Sequence, residues 1–218
     1  MQSADSNAHP SAAFISALTT EHFVLQTAAS STINEAGARS SLYVFTLSSS
    51  LVAMGFMSQA TEAFMPFVAA VIPAIFVLGV FTVVRLVDTT VENMQYLANI
   101  ARIRRVYRTL SPAAAEIFAP ATGRWPEVTS PPSHALGELL AFFGTTASMI
   151  AVVNNVVAGA GVTLLVHVAL GGATGIALAC GAALTATLTA LFLVYERWRF
   201  AHDPGVRAAQ SLQDELAR

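Results

Sequence analysis

Three stretches of the chain carry no Asp, Glu, Lys or Arg: residues 40–61 and 63–84, of 22 residues each, and residues 139–195, of 57. Their apolar residues do not alternate with polar ones at period two, so strands of a membrane barrel are not expected. A helix of that shorter length is about 33 Å long, against a hydrocarbon core of about 30 Å. Each of the first two stretches therefore fits one crossing. The third fits two crossings of about 20 residues and a connection, and leaves no turns for three. The pattern predicts transmembrane helices over 41–57, 65–84, 139–157 and 173–195. A helical bundle in water would need polar outer faces, and residues 42–52 and 69–84 have almost none.

The flanks extend the first two helices. Thr19 or Thr20 can cap a helix with Glu21 in its first turn, and no Pro interrupts from there to Met57. Glu35 and Arg39 form an i,i+4 pair in the favourable order. Leu25, Ala29, Thr32 and Ala36 make a narrow stripe on which another helix can lie. Pro66 suits the first turn of the second span, whereas Pro73 lies inside it, removes a backbone donor and is expected to kink it. Val87, Val91, Met94, Ala98 and Ala101 keep helical spacing beyond Arg85, to about Leu110. The five prolines Pro112, Pro120, Pro126, Pro131 and Pro132 then make a loop, with room for a short helix over 113–118.

The chain thus divides into a disordered start (1–18), a long-helix hairpin with spans one and two (19–110), a Pro-rich loop (111–134), a second hairpin with spans three and four (135–200) and a tail (201–218). The fold class expected is an all-α membrane protein, with helices one and two extended into the cytoplasm. The halves share this plan without a residue-level repeat, so an inverted-repeat transporter is not inferred.

Charge sets the threading. All eleven basic residues are Arg. Arg39 precedes span one, Arg85 to Arg124 lie between spans two and three, and Arg197 to Arg218 follow span four. The connections near Glu62 and over 158–172 carry none. Cytoplasmic segments retain basic residues during insertion, so both termini and the central linker are expected in the cytoplasm of a bacterial inner membrane. The first twelve residues carry no basic residue and the first long apolar run follows Arg39, so no secretory leader is expected. Composition agrees: 55% apolar, 11% charged and a mean hydropathy of +0.61. Soluble domains carry about 25% charge.

Candidate chemistry is sparse. In span four, Gly171, Gly175, Ala179, Ala183 and Thr187 recur every fourth residue, as do Ala173, Ala177, Gly181, Thr185 and Thr189. Such stripes let helices approach closely, within one subunit or between subunits of a homo-oligomer. Thr46, Ser48, Ser49 and Ser50 either return their hydroxyls to the preceding turn or line a pore. Asn154 and Asn155 either mark the outer end of span three, bond a neighbouring helix or ring a constriction. Arg102, Arg104, Arg105 and Arg108 are a basic cluster suited to anionic headgroups, or to another phosphate-bearing ligand. Nucleic acid is not expected, because Asp88, Glu92 and Glu116 flank this cluster and the net charge is −2.

The single Cys180 excludes an internal disulfide, and His167 alone is no metal site. No phosphate-binding loop ends in Lys, and neither His-Glu-x-x-His nor Gly-x-Ser-x-Gly occurs. No enzyme, cofactor or metal is expected. The partners expected are the lipid bilayer, further copies of the chain and a cytoplasmic protein.

Residues 22–55 (HFVLQTAASSTINEAGARSSLYVFTLSSSLVAMG) with 99–107 (NIARIRRVY) resemble a family of actinobacterial four-span integral membrane proteins without an assigned activity. The resemblance covers about the first half of the chain and the hydropathy of the rest. It implies a membrane fold and carries over no catalytic residue. In architecture alone the chain is also similar to small four-span effectors of bacterial anti-phage signalling, which implies membrane perturbation in answer to a signal. The function expected is therefore a non-enzymatic oligomeric membrane protein acting as a pore or membrane effector. The alternatives are a binder or carrier of lipids or amphiphiles through the arginine cluster, or an accessory subunit of a larger membrane complex.

Overall fold

The computed structural model describes residues 11–119, 145–205, 207 and 211. Among them there is no strand. The elements are α1 (Ala12–Met57), α2 (Thr61–Arg108), α3 (Pro112–Ile117), α4 (Thr146–Ala169) and α5 (Thr174–His202). All except α3 are long and apolar enough to cross a membrane.

Helix α1 begins earlier than the expected Thr19 or Thr20. The Ser11 hydroxyl accepts the Phe14 N–H at 3.2 Å and so fills the cap. Thr19 and Thr20 instead donate to the Ile15 and Ser16 carbonyls, at 2.9 and 3.0 Å. A threonine inside a helix can spend its hydroxyl in this way, which is why its presence alone does not mark a helix start.

Helix α2 begins at Thr61, so Pro66 lies beyond its first turn, and the helix continues through Pro73. Helix α4 does not end at Val157 but runs on to Ala169. The glycines at 159 and 161 face neighbouring side chains and do not break it. The connection to α5 is then only Leu170 to Ala173. Gly171 and Gly172 have φ of 61° and 100°, a region that side chains beyond hydrogen disfavour. The Gly172 N–H bonds the His167 carbonyl at 3.0 Å, and the Gly171 N–H reaches that of Val168 at 3.4 Å. This pair is a Schellman ending, which satisfies carbonyls the helix terminus leaves open.

The chain forms two compact units. Unit 2 (Asn34–Thr90 and Leu136–Ala201) contains all three charge-free stretches. Its core is Tyr43, Ile75, Val83, Leu86, Val87, Ala147, Ile150, Ala151 and Phe192. Its outer surface is apolar as well: Phe45, Phe56 and Phe81 are 71%, 78% and 70% exposed.

Unit 1 comprises Met1–Ile33, Val91–Ala135 and His202–Arg218. Its core is smaller, with Leu25 of α1 against Ile100, Ile103 and Tyr107 of α2. Tyr107 also packs at a tilt against Phe118, ring centroids 5.1 Å apart. Leu25, Ala29 and Thr32 are buried, as the stripe at their spacing predicts. The Thr32 hydroxyl lies within reach of both the Ala29 carbonyl and Asn93 Oδ1. Asp203 is buried and accepts from Gln95 Nε2 at 3.0 Å and from the Gly205 N–H at 2.8 Å.

Candidate functional site

In unit 2, small residues bring α4 and α5 together. A Cβ on Gly181 would stand 2.5 Å from the Gly159 carbonyl oxygen and against the Thr163 hydroxyl. A Cβ on Gly159 would meet the Thr185 hydroxyl. The stripe through Ala177, Gly181, Thr185 and Thr189 is therefore the face that packs inside the chain. The other stripe behaves differently. Gly171 lies in the turn rather than in α5, Gly175 has nothing within 4 Å of a built Cβ, and Ala179 and Ala183 are exposed. Of the five packing candidates Gly171, Gly175, Ala179, Gly181 and Ala183, Gly181 makes this contact.

Asn154 and Asn155 sit in the middle of α4, not at its end. Both are buried. Asn154 Oδ1 accepts from the Tyr43 hydroxyl at 3.1 Å, and its Nδ2 donates to the Phe76 carbonyl at 3.2 Å. Gly79 leaves the space its amide fills, since a Cβ there would overlap it. One amide thus joins α1, α2 and α4. Asn155 Nδ2 donates to Thr189 Oγ1 at 3.2 Å, and the Thr185 hydroxyl lies within reach of the Asn155 and Gly181 carbonyls. Each amide is spent on another helix of the same chain. Buried amides in an apolar bundle are costly unless paired, and these are paired.

On α1, Thr46 donates to the Leu42 carbonyl at 2.8 Å. Ser48 and Ser49 are exposed.

Charged groups flank these spans in pairs. Glu35 accepts from Arg39 and from Arg85, each at 2.8 Å through Nε, and Arg85 adds a second bond through Nη2 at 3.0 Å. The two guanidinium groups, Arg85 first, hold the Glu35 carboxyl down at about 2. Asp88 pairs with Arg199 at 3.3 Å.

A polar residue that sequence reasoning passed over is Glu196. It is the first charge after the long apolar stretch, and it is completely buried. It accepts from Thr145 Oγ1 at 3.1 Å and from Ser148 Oγ at 3.0 Å. Its position two turns past Thr189 puts it on the face that meets α4, and that spacing was the available signal.

In unit 1 the arginine cluster divides. Arg102 is exposed, and Arg104 Nη2 donates to the Ala119 carbonyl at 3.3 Å. Arg105 is half-buried and engaged. Arg108 is half-buried, and its Nε and Nη2 are enclosed with no acceptor among the described residues. His22 is the second such group: its Nδ1 is enclosed and unpartnered. Its ring lies 6.1 Å from that of Tyr107. Burial, and then the Arg104 charge, lower the His22 imidazole from its usual value, which favours the neutral ring. Among the described residues, this end of the α1–α2 pairing therefore holds three enclosed nitrogens without a hydrogen-bond partner.

Comparison with known protein families, with curated proteins and with solved structures finds no match to this chain.

Proposed function

We propose that the chain is a multi-pass integral membrane protein of a bacterial inner membrane, crossing it four times with both termini cytoplasmic. It works without catalysis, by holding the anionic headgroup of a lipid or related amphiphile at its arginine cluster. The apolar outer surface of unit 2 supports the membrane location, because soluble proteins rarely expose contiguous apolar patches of this kind. The confinement of arginine to three segments supports the orientation.

The observation that carries the binding reading is Arg108. Two guanidinium nitrogens enclosed without acceptors among the described residues cost about 1–3 kcal/mol each. A phosphate or carboxylate oxygen at that position removes the cost and adds charge-assisted bonds. His22, held neutral by burial and Arg104, gains a proton more readily once an anion is present, so binding strengthens as pH falls.

The test is lipid retention. The purified chain is expected to carry anionic lipid detectable by mass spectrometry. Arg104→Ala with Arg108→Ala lowers that retention by about fivefold per arginine at about 1 kcal/mol each. Unchanged retention with normal membrane insertion rejects the reading.

A second reading, an oligomeric pore, keeps one observation in its favour. Ser48 and Ser49 are exposed on α1 rather than turned into the chain. Asn154 and Asn155 no longer serve it, since their amides are spent internally. Flux through liposomes at high protein density decides it, and a tight bilayer removes it.

A further inference from the structure

Glu196 of α5 closes a ring of three oxygen contacts with Thr145 and Ser148 at the start of α4. Thr145 Oγ1 lies 3.1 Å from Glu196 Oε1, Ser148 Oγ lies 3.0 Å from Glu196 Oε2, and the two hydroxyls lie 2.9 Å from each other. Three O···O contacts need three protons, one for each. The two hydroxyls supply two. With an ionised carboxylate, both hydroxyls turn toward it and the Thr145–Ser148 contact holds no proton. With a neutral carboxyl group every contact is filled: Glu196 donates to Thr145, Thr145 to Ser148, and Ser148 back to Glu196.

The surroundings point the same way. Glu196 is 0% exposed, so water does not solvate a charge there. Among the described residues no cation pairs with it. On α1, Glu35 holds Arg39, and on α2, Arg85 also holds Glu35 while Asp88 takes Arg199 of α5. On α5, Arg197 is exposed and Tyr195 is half-buried. The described part of α4 offers hydroxyls and no charged group. At the start of α4 the Ser148 N–H is already taken by Thr145 Oγ1 at 3.0 Å, so the carboxyl group meets the two hydroxyls. A carboxyl group removed from water with no opposite charge beside it favours its neutral form.

We propose that Glu196, Thr145 and Ser148 form a reversible proton-binding site that joins α4 to α5. The proton comes from water and forms the O–H bond on Glu196 Oε1. Its release leaves a buried carboxylate with one hydroxyl contact unfilled, and so loosens the α4–α5 junction. This site lies in unit 2 and does not depend on the arginine cluster of unit 1, so failure of either reading leaves the other standing.

The experiment is infrared difference spectroscopy on the full chain in lipid. At neutral pH the chain is expected to show the carbonyl stretch of one protonated carboxyl group, lost in strongly alkaline buffer. Glu196→Gln removes that band. Ser148→Ala keeps it and moves it to higher frequency, because the carbonyl oxygen loses its donor; this variant serves if Glu196→Gln does not fold. Absence of the band at neutral pH, its persistence in Glu196→Gln, or an unmoved band in Ser148→Ala overturns the proposal. So does a band that sodium chloride abolishes at fixed pH while choline chloride does not, which would assign the three oxygens to a metal cation.

Discussion

The two units differ in how completely they satisfy their buried polar groups. In unit 2, Asn154 meets Tyr43 and Phe76, Asn155 meets Thr189, and Glu196 meets two hydroxyls. In unit 1, His22 Nδ1 and two nitrogens of Arg108 are enclosed and meet nothing. Among the described residues, all buried side-chain polar atoms lacking a partner fall in unit 1. On the proposed reading, the difference separates a scaffold from a binding site. Where the chain satisfies its own donors, nothing external is called for. Where it leaves charge-bearing donors enclosed, the proposed anion would supply the acceptor.

The largest effects are expected where unit 2 packs most closely. Gly181→Leu drives side-chain atoms into the Gly159 carbonyl and should cost about 3 kcal/mol, whereas Gly175→Ala, with open space around it, should change stability by less than about 0.5 kcal/mol. Unfolding of the reconstituted protein measures both, and equal losses would erase the distinction between the two stripes of α5.

Asn154→Leu is next. It leaves the buried Tyr43 hydroxyl without its partner, removes the bond from Asn154 to the Phe76 carbonyl, and should cost about 1–2 kcal/mol. Neutral behaviour would mean that unit 2 is not held by its polar contacts.

The most direct contrast pairs two arginines. Arg85→Met strips Glu35 of two bonds and should destabilise the chain, while Arg108→Met removes enclosed donors without partners and should leave the delipidated protein as stable or more so. Thermal melts of delipidated protein compare them, and a clear loss in Arg108→Met would show that this guanidinium already has what it needs.

The smallest effect is a pH dependence. Glu35 is lowered in the folded chain, so its stabilising contribution is present above its unfolded value near 4.3 and fades as pH falls toward about 2. The side chain is 32% exposed, so solvent and salt trim the effect. The acid limb of the melting curve should flatten in Glu35→Gln, and an unchanged limb would mean the pair contributes nothing.

Much of the helical plan was legible because charge avoidance over 40–61, 63–84 and 139–195 has few physical explanations. The stripe through Leu25, Ala29 and Thr32 was legible for the same reason, since spacing reports a face directly. The end of span three was not. A pair of asparagines reads as an interface when hydropathy is counted residue by residue, but Tyr43 and the gap at Gly79 come from elsewhere in the chain and make the middle of α4 a place for an amide. Which stripe of α5 packs inward was equally hidden, because both satisfy the four-residue spacing and only Gly159 on α4 distinguishes them. Glu196 was passed over, since a sequence shows that a carboxyl follows an apolar stretch but not that two hydroxyls wait for it.

The turn between α4 and α5 bears on biogenesis. On the proposed topology this is the piece that must be pushed through the bilayer. Leu170, Gly171, Gly172 and Ala173 carry no charge, and the amides of Leu170, Gly171 and Gly172 are already bonded to carbonyls of α4's last turn. The tip therefore brings no charge, and three of its N–H groups need no water partner as it passes, which lowers the cost of carrying it across.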